Sequence, residues 1–180
     1  LAKIPELDPT EIDDLMVGCG QPAGQSGFNI ARVVAVQLGY DFLPGVTVNR
    51  YCSSSLQTTR MALHAIKAGE GDVFISAGVE SVSSFVTGNA DGLPNTKNPL
   101  FADAEARTET LAHGGTAWTD PRSEGTLPDF YIAMGQTAEN LAQLHDVSRA
   151  DMDEFGVRSQ NLAEKAIADG FWAREITPVS

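Results

Sequence analysis

The sequence predicts an α/β fold built on a parallel sheet. Short apolar runs at residues 15–19, 46–49 and 72–78 alternate with helical patterns at about 28–38 and 52–68. The turns between them are short, as βαβ units require. The composition is that of an ordinary globular chain, with 42% hydrophobic and 20% charged residues over 180 positions. That balance excludes a disordered tail, a collagen-like fibre and a disulfide-stapled miniprotein.

In order along the chain, Asp8-Pro9-Thr10-Glu11 reads as a helix start, with a capping Asp, Pro in the first turn and Glu three residues after the cap. Leu15-Met16-Val17-Gly18-Cys19 is the first strand. A loop over 20–27 leads to a helix whose expected buried stripe is Ile30, Val33, Val34 and Leu38. Gly39 stands where a left-handed C-cap is needed. The second strand, 46–49, runs straight into a helix that Leu56, Thr59, Leu63 and Ile66 are expected to carry into the core. Ala62 and Ala65 allow close packing there, and Gly69 ends the helix. The third strand covers 72–78.

The pattern then changes. From 87 to 128 no sustained periodicity is visible, and Gly88, Gly92, Gly114, Gly115 and Gly125 are interleaved with Pro94, Pro99, Pro121 and Pro128. Loops this long are usually functional, disordered or assembly-forming. Two helices follow, one from about 136 to 145 and one opened by Ser148 with Asp151 three residues on and closed by Gly170. Two domains are expected: 1–86, an α/β core, and 87–180, an irregular segment followed by helices.

Charge and cysteine usage narrow the function. Twenty-four acidic against twelve basic residues give a formal charge of −12, unsuited to nucleic acid or an anionic membrane. An anionic ligand would have to be held by local groups. No apolar run approaches the roughly 20 residues of a membrane span. The two cysteines, Cys19 and Cys52, suit a reducing compartment. Leu1-Ala2-Lys3-Ile4-Pro5 has no signal-peptide organisation and no initiator Met, so a cytoplasmic protein starting inside a longer gene product is expected. No metal-ligand spacing, phosphate loop or dinucleotide fingerprint occurs, so no metal and no resident cofactor are expected.

Cys52 is the informative residue. It lies at a strand-to-helix junction, where unpaired amide groups and the helix dipole favour a thiolate. Ser53, Ser54 and Ser55 are small and let a substrate approach the sulfur. Placement alone leaves two readings open, a nucleophile and a small buried hydrophobe. Cys19, inside an apolar run, reads as structural.

The segment Val48-Asn49-Arg50-Tyr51-Cys52-Ser53-Ser54-Ser55-Leu56-Gln57 resembles the nucleophile motif of the thiolases. Four further stretches agree in order. Gly78-Val79-Glu80-Ser81-Val82-Ser83 resembles the family's glycine-glutamate-serine segment, and Ala133 to Asn140 its loop-domain signature. Ser148 through Gln160, then Glu175-Ile176-Thr177-Pro178-Val179, continue the likeness. Cys52-Ser53-Ser54-Ser55-Leu56 alone also looks like the active cysteine of ketosynthases. Val48-Asn49-Arg50, Glu80 with Ser81 and Ser83, and the segment from Met134 to Asn140 side with thiolase.

The resemblance implies a thiolase-like layered α/β/α fold, with 1–86 as the N-terminal core and 87–180 as the loop domain. It implies acyl transfer between thiols: cleavage of a 3-ketoacyl-CoA by CoA, or the reverse Claisen condensation, through an acyl thioester on Cys52. Coenzyme A is then a substrate rather than a cofactor. Met134 matches a methionine lining the family's acyl pocket, with core filling as the plain alternative, and Leu127 a leucine at the pantetheine. Ala133 stands where some short-chain biosynthetic thiolases have histidine, which leans towards a degradative enzyme. Trp118, Phe101 and Leu100 are candidate anchors of the loop domain, and a homodimer or homotetramer is expected.

The family's two bases sit in Gly-His-Pro and Cys-x-Gly motifs, and neither occurs in these residues. His64 lies twelve positions beyond Cys52 on the same helix, roughly 18 Å away along the axis. His113 and His145 read as surface residues. Residues 1–4 read like the tail of a helix already under way. The chain is therefore expected to be the N-terminal half of a thiolase, incomplete at both ends, rather than a subunit that borrows its bases. A ketosynthase-like condensing enzyme and a non-catalytic thiolase-fold subunit are the alternatives.

Overall fold

The computed structural model describes residues 1, 3–114 and 117–178, which fall into two compact units, Leu1–Thr96 and Lys97–Ser180. Ala2, Gly115 and Val179, each part of a segment singled out above, lie outside the described residues. The division comes at Thr96/Lys97 rather than at 86/87. Residues beyond 86 are tied into the first unit, where the Ala90 amide donates to Gln21 Oε1 at 2.7 Å.

Three parallel strands form the first unit's sheet: β1 (Asp14–Gly18), β2 (Gly45–Val48) and β3 (Phe74–Gly78), in the order β2-β1-β3. Leu15 lies opposite Gly45 on one side and Ile75 on the other. The central strand is a continuous apolar run with Leu15, Met16 and Val17 all buried, as a strand covered on both faces must be. Side chains alternate across it. Leu15 and Val17 pack with Ala31 and Ala35 of α1 (Ile30–Gln37). Gly18 faces α2 (Ser54–Ala68), where a Cβ built on it would meet the Ser54 backbone. The helices therefore lie on opposite faces, and the layers are α/β/α as the resemblance implies.

Asp13 fastens the sheet at its base. Its Oδ2 accepts from the amides of Asp72 and Val73 at 2.8 and 2.9 Å, while its own amide donates to Val73 O. Those two amides, Val73 first, hold the Asp13 carboxyl below the usual carboxylate range.

Several expected details differ. The Asp8 start is one 3-10 turn, Pro9–Glu11, with Asp8 Oδ1 capping the Thr10 amide. The Ile4 amide donates to Leu1 O at 2.7 Å. Phe28 and Asn29 have left-handed backbone, so α1 begins at Ile30 and its stripe rotates. Ala31 and Ala35 are buried and Ile30 and Val34 pack beside them as expected, whereas Val33 and Leu38 are exposed. The small side chains let α1 lie so close to β2 that a Cβ on Gly45 would come within 2.8 Å of Arg32 N. The same rule turns α2. Ser54, Thr58 and Ala65 are buried against the sheet, the last as expected, whereas Leu56, Leu63 and Ile66 are exposed. Thr58 and Thr59 hydroxyls both meet Ser76 Oγ of β3 at 2.9 Å.

The second unit is helical: α3 (Ala102–Ala112), α4 (Met134–Leu144) and α5 (Arg149–Ala168). Helix α3 falls inside the stretch read as aperiodic. It buries only Ala104 and Thr108, one turn apart, so it leaves no apolar stripe in the sequence. Its alanines and the acidic Asp103 and Glu105 in its first turn favour the helix locally. The segment after it is fixed by Asp129, whose side chain is only 6% exposed. Arg107 Nε and Nη2 donate to Asp129 Oδ1 at 3.1 and 2.9 Å, and Trp118 Nε1 to Oδ2 at 3.1 Å. Trp118 and Gln143 exchange two further hydrogen bonds at 3.0 Å. Phe101 packs on Phe130 and Tyr131, while Leu100 is exposed. Ser148 caps α5 as expected, accepting from the Asp151 amide and donating to its carboxylate. Among the described residues, no helix is long and apolar enough to cross a membrane.

Candidate active site

Cys52 stands where β2 gives way to α2, in a single 3-10 turn, Tyr51–Ser53. The turn is tight enough to put Tyr51 at φ +45°, a left-handed backbone that a bulky side chain rarely adopts. Two side chains hold it. Asn49 Oδ1 accepts from the Tyr51 amide at 2.9 Å. Ser54 Oγ, buried, donates to Tyr51 O at 2.6 Å and accepts from the Arg50 amide at 2.9 Å. The Ser54 hydroxyl is therefore engaged by the backbone of the turn rather than offered to the sulfur. Cys52 itself is exposed, so it is not a small buried hydrophobe.

The strand ends make room for this turn. A Cβ on Gly18 would lie 2.6 Å from Ser54 C and Ser55 N, and one on Gly78 2.2 Å from Ser55 Oγ. Only glycines at the C-terminal ends of adjacent strands admit the first turn of α2 so closely. Above them is a depression of about 400 Å³ lined by Gly18, Gly20, Tyr51, Cys52, Ser54, Ser55, Gly78, Val79 and Glu80. No histidine is among those residues. Glu80 spans the loops at its rim: Oε2 accepts from the Gly20 amide at 2.7 Å and Oε1 from the Gln21 amide at 3.1 Å.

Cys19 is 1% exposed, in keeping with a structural role. Burial foremost, and then the charge and hydrogen bond of Glu80, push its thiol up. The Gln21 amide and the Ser26 hydroxyl act against that. The Cys19 thiol donates to Glu80 Oε1 at 3.7 Å.

The remaining candidates belong to the second unit. Met134 is the first residue of α4 and 77% exposed, so it does not fill a core. Leu127 is 48% exposed, and its carbonyl accepts from Arg107 Nη2 at 2.7 Å. Ala133 precedes α4 and gives it no side-chain cap. His64, His113 and His145 are exposed, and His113 Nε2 lies 3.4 Å from Glu109. Asn49, Ser54, Gly18 and Gly78 gain positioning roles that the sequence reading did not assign. The available signal was a glycine near the end of each of two apolar runs.

Residues 1–180 match the family described as "Thiolase, N-terminal domain". The chain is similar to the beta-ketoadipyl-CoA thiolase of Pseudomonas knackmussii, 36% identical over 178 residues that cover 97% of this chain and 42% of that protein. It is 37% identical over 169 residues to the 3-ketoacyl-CoA thiolase of Bacillus subtilis, covering 93% of the chain and 37% of the relative. It is 38% identical over 185 residues to the 3-oxoadipyl-CoA/3-oxo-5,6-dehydrosuberyl-CoA thiolase of Escherichia coli, covering 99% and 43%. Among solved structures, the acetyl-CoA acetyltransferase of Bacillus anthracis aligns with a TM-score of 0.67 at 28% identity, over 99% of this chain and 42% of that one. The chain thus spans less than half the length of the relatives it matches.

Proposed function

The chain belongs to the thiolase family, matching its N-terminal domain, and from that premise we propose that it is the nucleophile-bearing part of an acyl-CoA acyltransferase. The reaction is cleavage of a 3-ketoacyl-CoA by CoA, or its reverse, through an acyl thioester on Cys52. The observation that supports this reading is the position of the thiol: exposed, in the turn that opens α2, and lining a depression at the ends of β1 and β3. Covalent catalysis needs a reactive group held on a rigid element and open to substrate.

In the cleavage direction the Cys52 sulfur attacks the 3-keto carbonyl and the bond between C2 and C3 breaks. The acetyl-CoA fragment leaves as an enolate and takes a proton. The acyl group stays on Cys52 until a second CoA thiol attacks, loses its proton and carries the acyl group away. Cys52 is released in the step that forms the new thioester. The proton transfers need a base for each thiol and an acid for the enolate. The resemblance assigns them to histidine and cysteine motifs that do not occur in these residues. Met134 and Leu127 are the proposed contacts to the acyl chain and the pantetheine. The proposed setting is a reducing compartment, the cytoplasm, and an assembly of two or four copies.

The test is CoA-dependent consumption of acetoacetyl-CoA by the protein expressed from its natural gene. Cys52→Ser should lower the rate by about a thousandfold or more, as removal of a covalent nucleophile does. A variant that keeps the wild-type rate would refute the thioester.

A further inference from the structure

We infer that Glu80 is a positioning residue for Cys52, acting through the backbone of Gly20 and Tyr51; the inference rests on the reading of Cys52 as the nucleophile. The Glu80 carboxylate is divided between two successive backbone donors, Oε2 taking the Gly20 amide at 2.7 Å and Oε1 the Gln21 amide at 3.1 Å. Oε1 also accepts the Cys19 thiol at 3.7 Å. A carboxylate bound to three donors is a fixed strut. What it fixes is Gly20, and Gly20 neighbours the turn that bears the nucleophile. A Cβ built on Gly20 would lie 3.0 Å from Glu80 Oε2 and 3.5 Å from both C and Cα of Tyr51.

Tyr51 is the left-handed residue just before Cys52. Its backbone is held from its own side by Asn49 and Ser54, and Gly20 backs it from across the depression. The loop carrying Gly20 is braced a second time, since Gln21 Oε1 accepts the Ala90 amide at 2.7 Å. Glu80 thereby ties the loop after β1, the loop after β3 and the start of α2 into one frame. Gly20, Tyr51, Cys52 and Glu80 all line the same depression. Small displacements of a reacting group cost rate steeply, so a strut of this kind acts on turnover rather than on substrate affinity.

The test uses Glu80→Gln in the protein expressed from its natural gene. A carboxamide has one acceptor oxygen, and its NH2 group would face one of the two amides, so one strut is lost while size is kept. The Gly20 and Gln21 amides should exchange with solvent about tenfold faster, with Met16 and Val17 of β1 unchanged as the control for global opening. The kcat for acetoacetyl-CoA cleavage should fall about tenfold with KM within about twofold. The rate of Cys52 alkylation by iodoacetamide, which needs no turnover, should change by at least about threefold. Should Glu80→Gln fail to fold, Gly20→Ala puts a methyl group 3.0 Å from Glu80 Oε2, disturbs the same strut from the Gly20 side and carries the same expectations. Wild-type kcat and wild-type alkylation rate in the folded variant would overturn the inference. Activity retained by Cys52→Ser would overturn the thioester alone, and the alkylation and exchange rates would still decide the role of Glu80.

Discussion

The Ser54 hydroxyl donates to the carbonyl of Tyr51 at 2.6 Å and accepts from the Arg50 amide at 2.9 Å, so one buried side chain closes both ends of the turn that precedes Cys52. Truncating it strands a donor and an acceptor in a confined space. Ser54→Ala should destabilise the first unit by about 1–3 kcal/mol, read by urea unfolding, and should slow acyl transfer as well. Wild-type stability and rate in that variant would show that the turn holds without the hydroxyl.

The two glycines under α2 are not equivalent. A Cβ on Gly18 meets the backbone of Ser54 and Ser55, which can yield only by moving the helix, whereas a Cβ on Gly78 meets the Ser55 hydroxyl, which can rotate away. Gly18→Ala should therefore reduce acyl transfer by about tenfold more than Gly78→Ala. Steady-state rates of the two variants check the order, and the reverse order would contradict the packing described.

Asp13 predicts an acid limb of stability. Its carboxyl lies below the usual range because the Val73 and Asp72 amides bond the charged form. A lowered folded value stabilises the protein fully above the ordinary carboxylate range, and the contribution is lost as pH falls through the folded value. Asp13→Asn keeps an acceptor and loses the charge. Its Tm should lie below wild type at neutral pH, and the gap should close on acidification. A gap that stays constant with pH would exclude the carboxylate as its source.

Asp129 organises the second unit through Arg107 and Trp118. Asp129→Ala leaves a guanidinium and an indole N–H without their acceptor. Because Arg107 is partly exposed, the expected cost is about 2–3 kcal/mol rather than that of a fully buried pair. Denaturant unfolding followed by Trp118 fluorescence, in a Trp172→Phe background, reads it. An unchanged midpoint would refute the clasp.

Much of this architecture is legible in the sequence, for physical reasons. β1 stands out because a strand covered on both faces is apolar at successive positions, Leu15, Met16 and Val17. The cap of α5 is visible because Ser148 and Asp151 carry it in their own side chains. The faces of α1 and α2 are read only in part: Ile30 and Val34 pack on the core and Ala65 is buried as expected, but Val33, Leu38, Leu56, Leu63 and Ile66 are exposed. The most deeply buried positions of both helices are Ala31, Ala35, Ser54, Thr58 and Ala65, where close contact favours small side chains. Helix α3 is invisible to periodicity because it buries only Ala104 and Thr108. At the site, Cys52 is legible from its place at a helix start. The strut from Glu80 to Gly20 joins residues 60 apart in the chain, and no local pattern encodes such a pair.

Whether Cys52 carries the acyl group is read from a peptide mass spectrum of the protein expressed from its natural gene after brief exposure to acetoacetyl-CoA. An acetyl adduct is expected on the peptide containing Cys52, absent in Cys52→Ser and removed by free CoA. An adduct-free Cys52 peptide in a protein that still cleaves acetoacetyl-CoA would contradict the thioester.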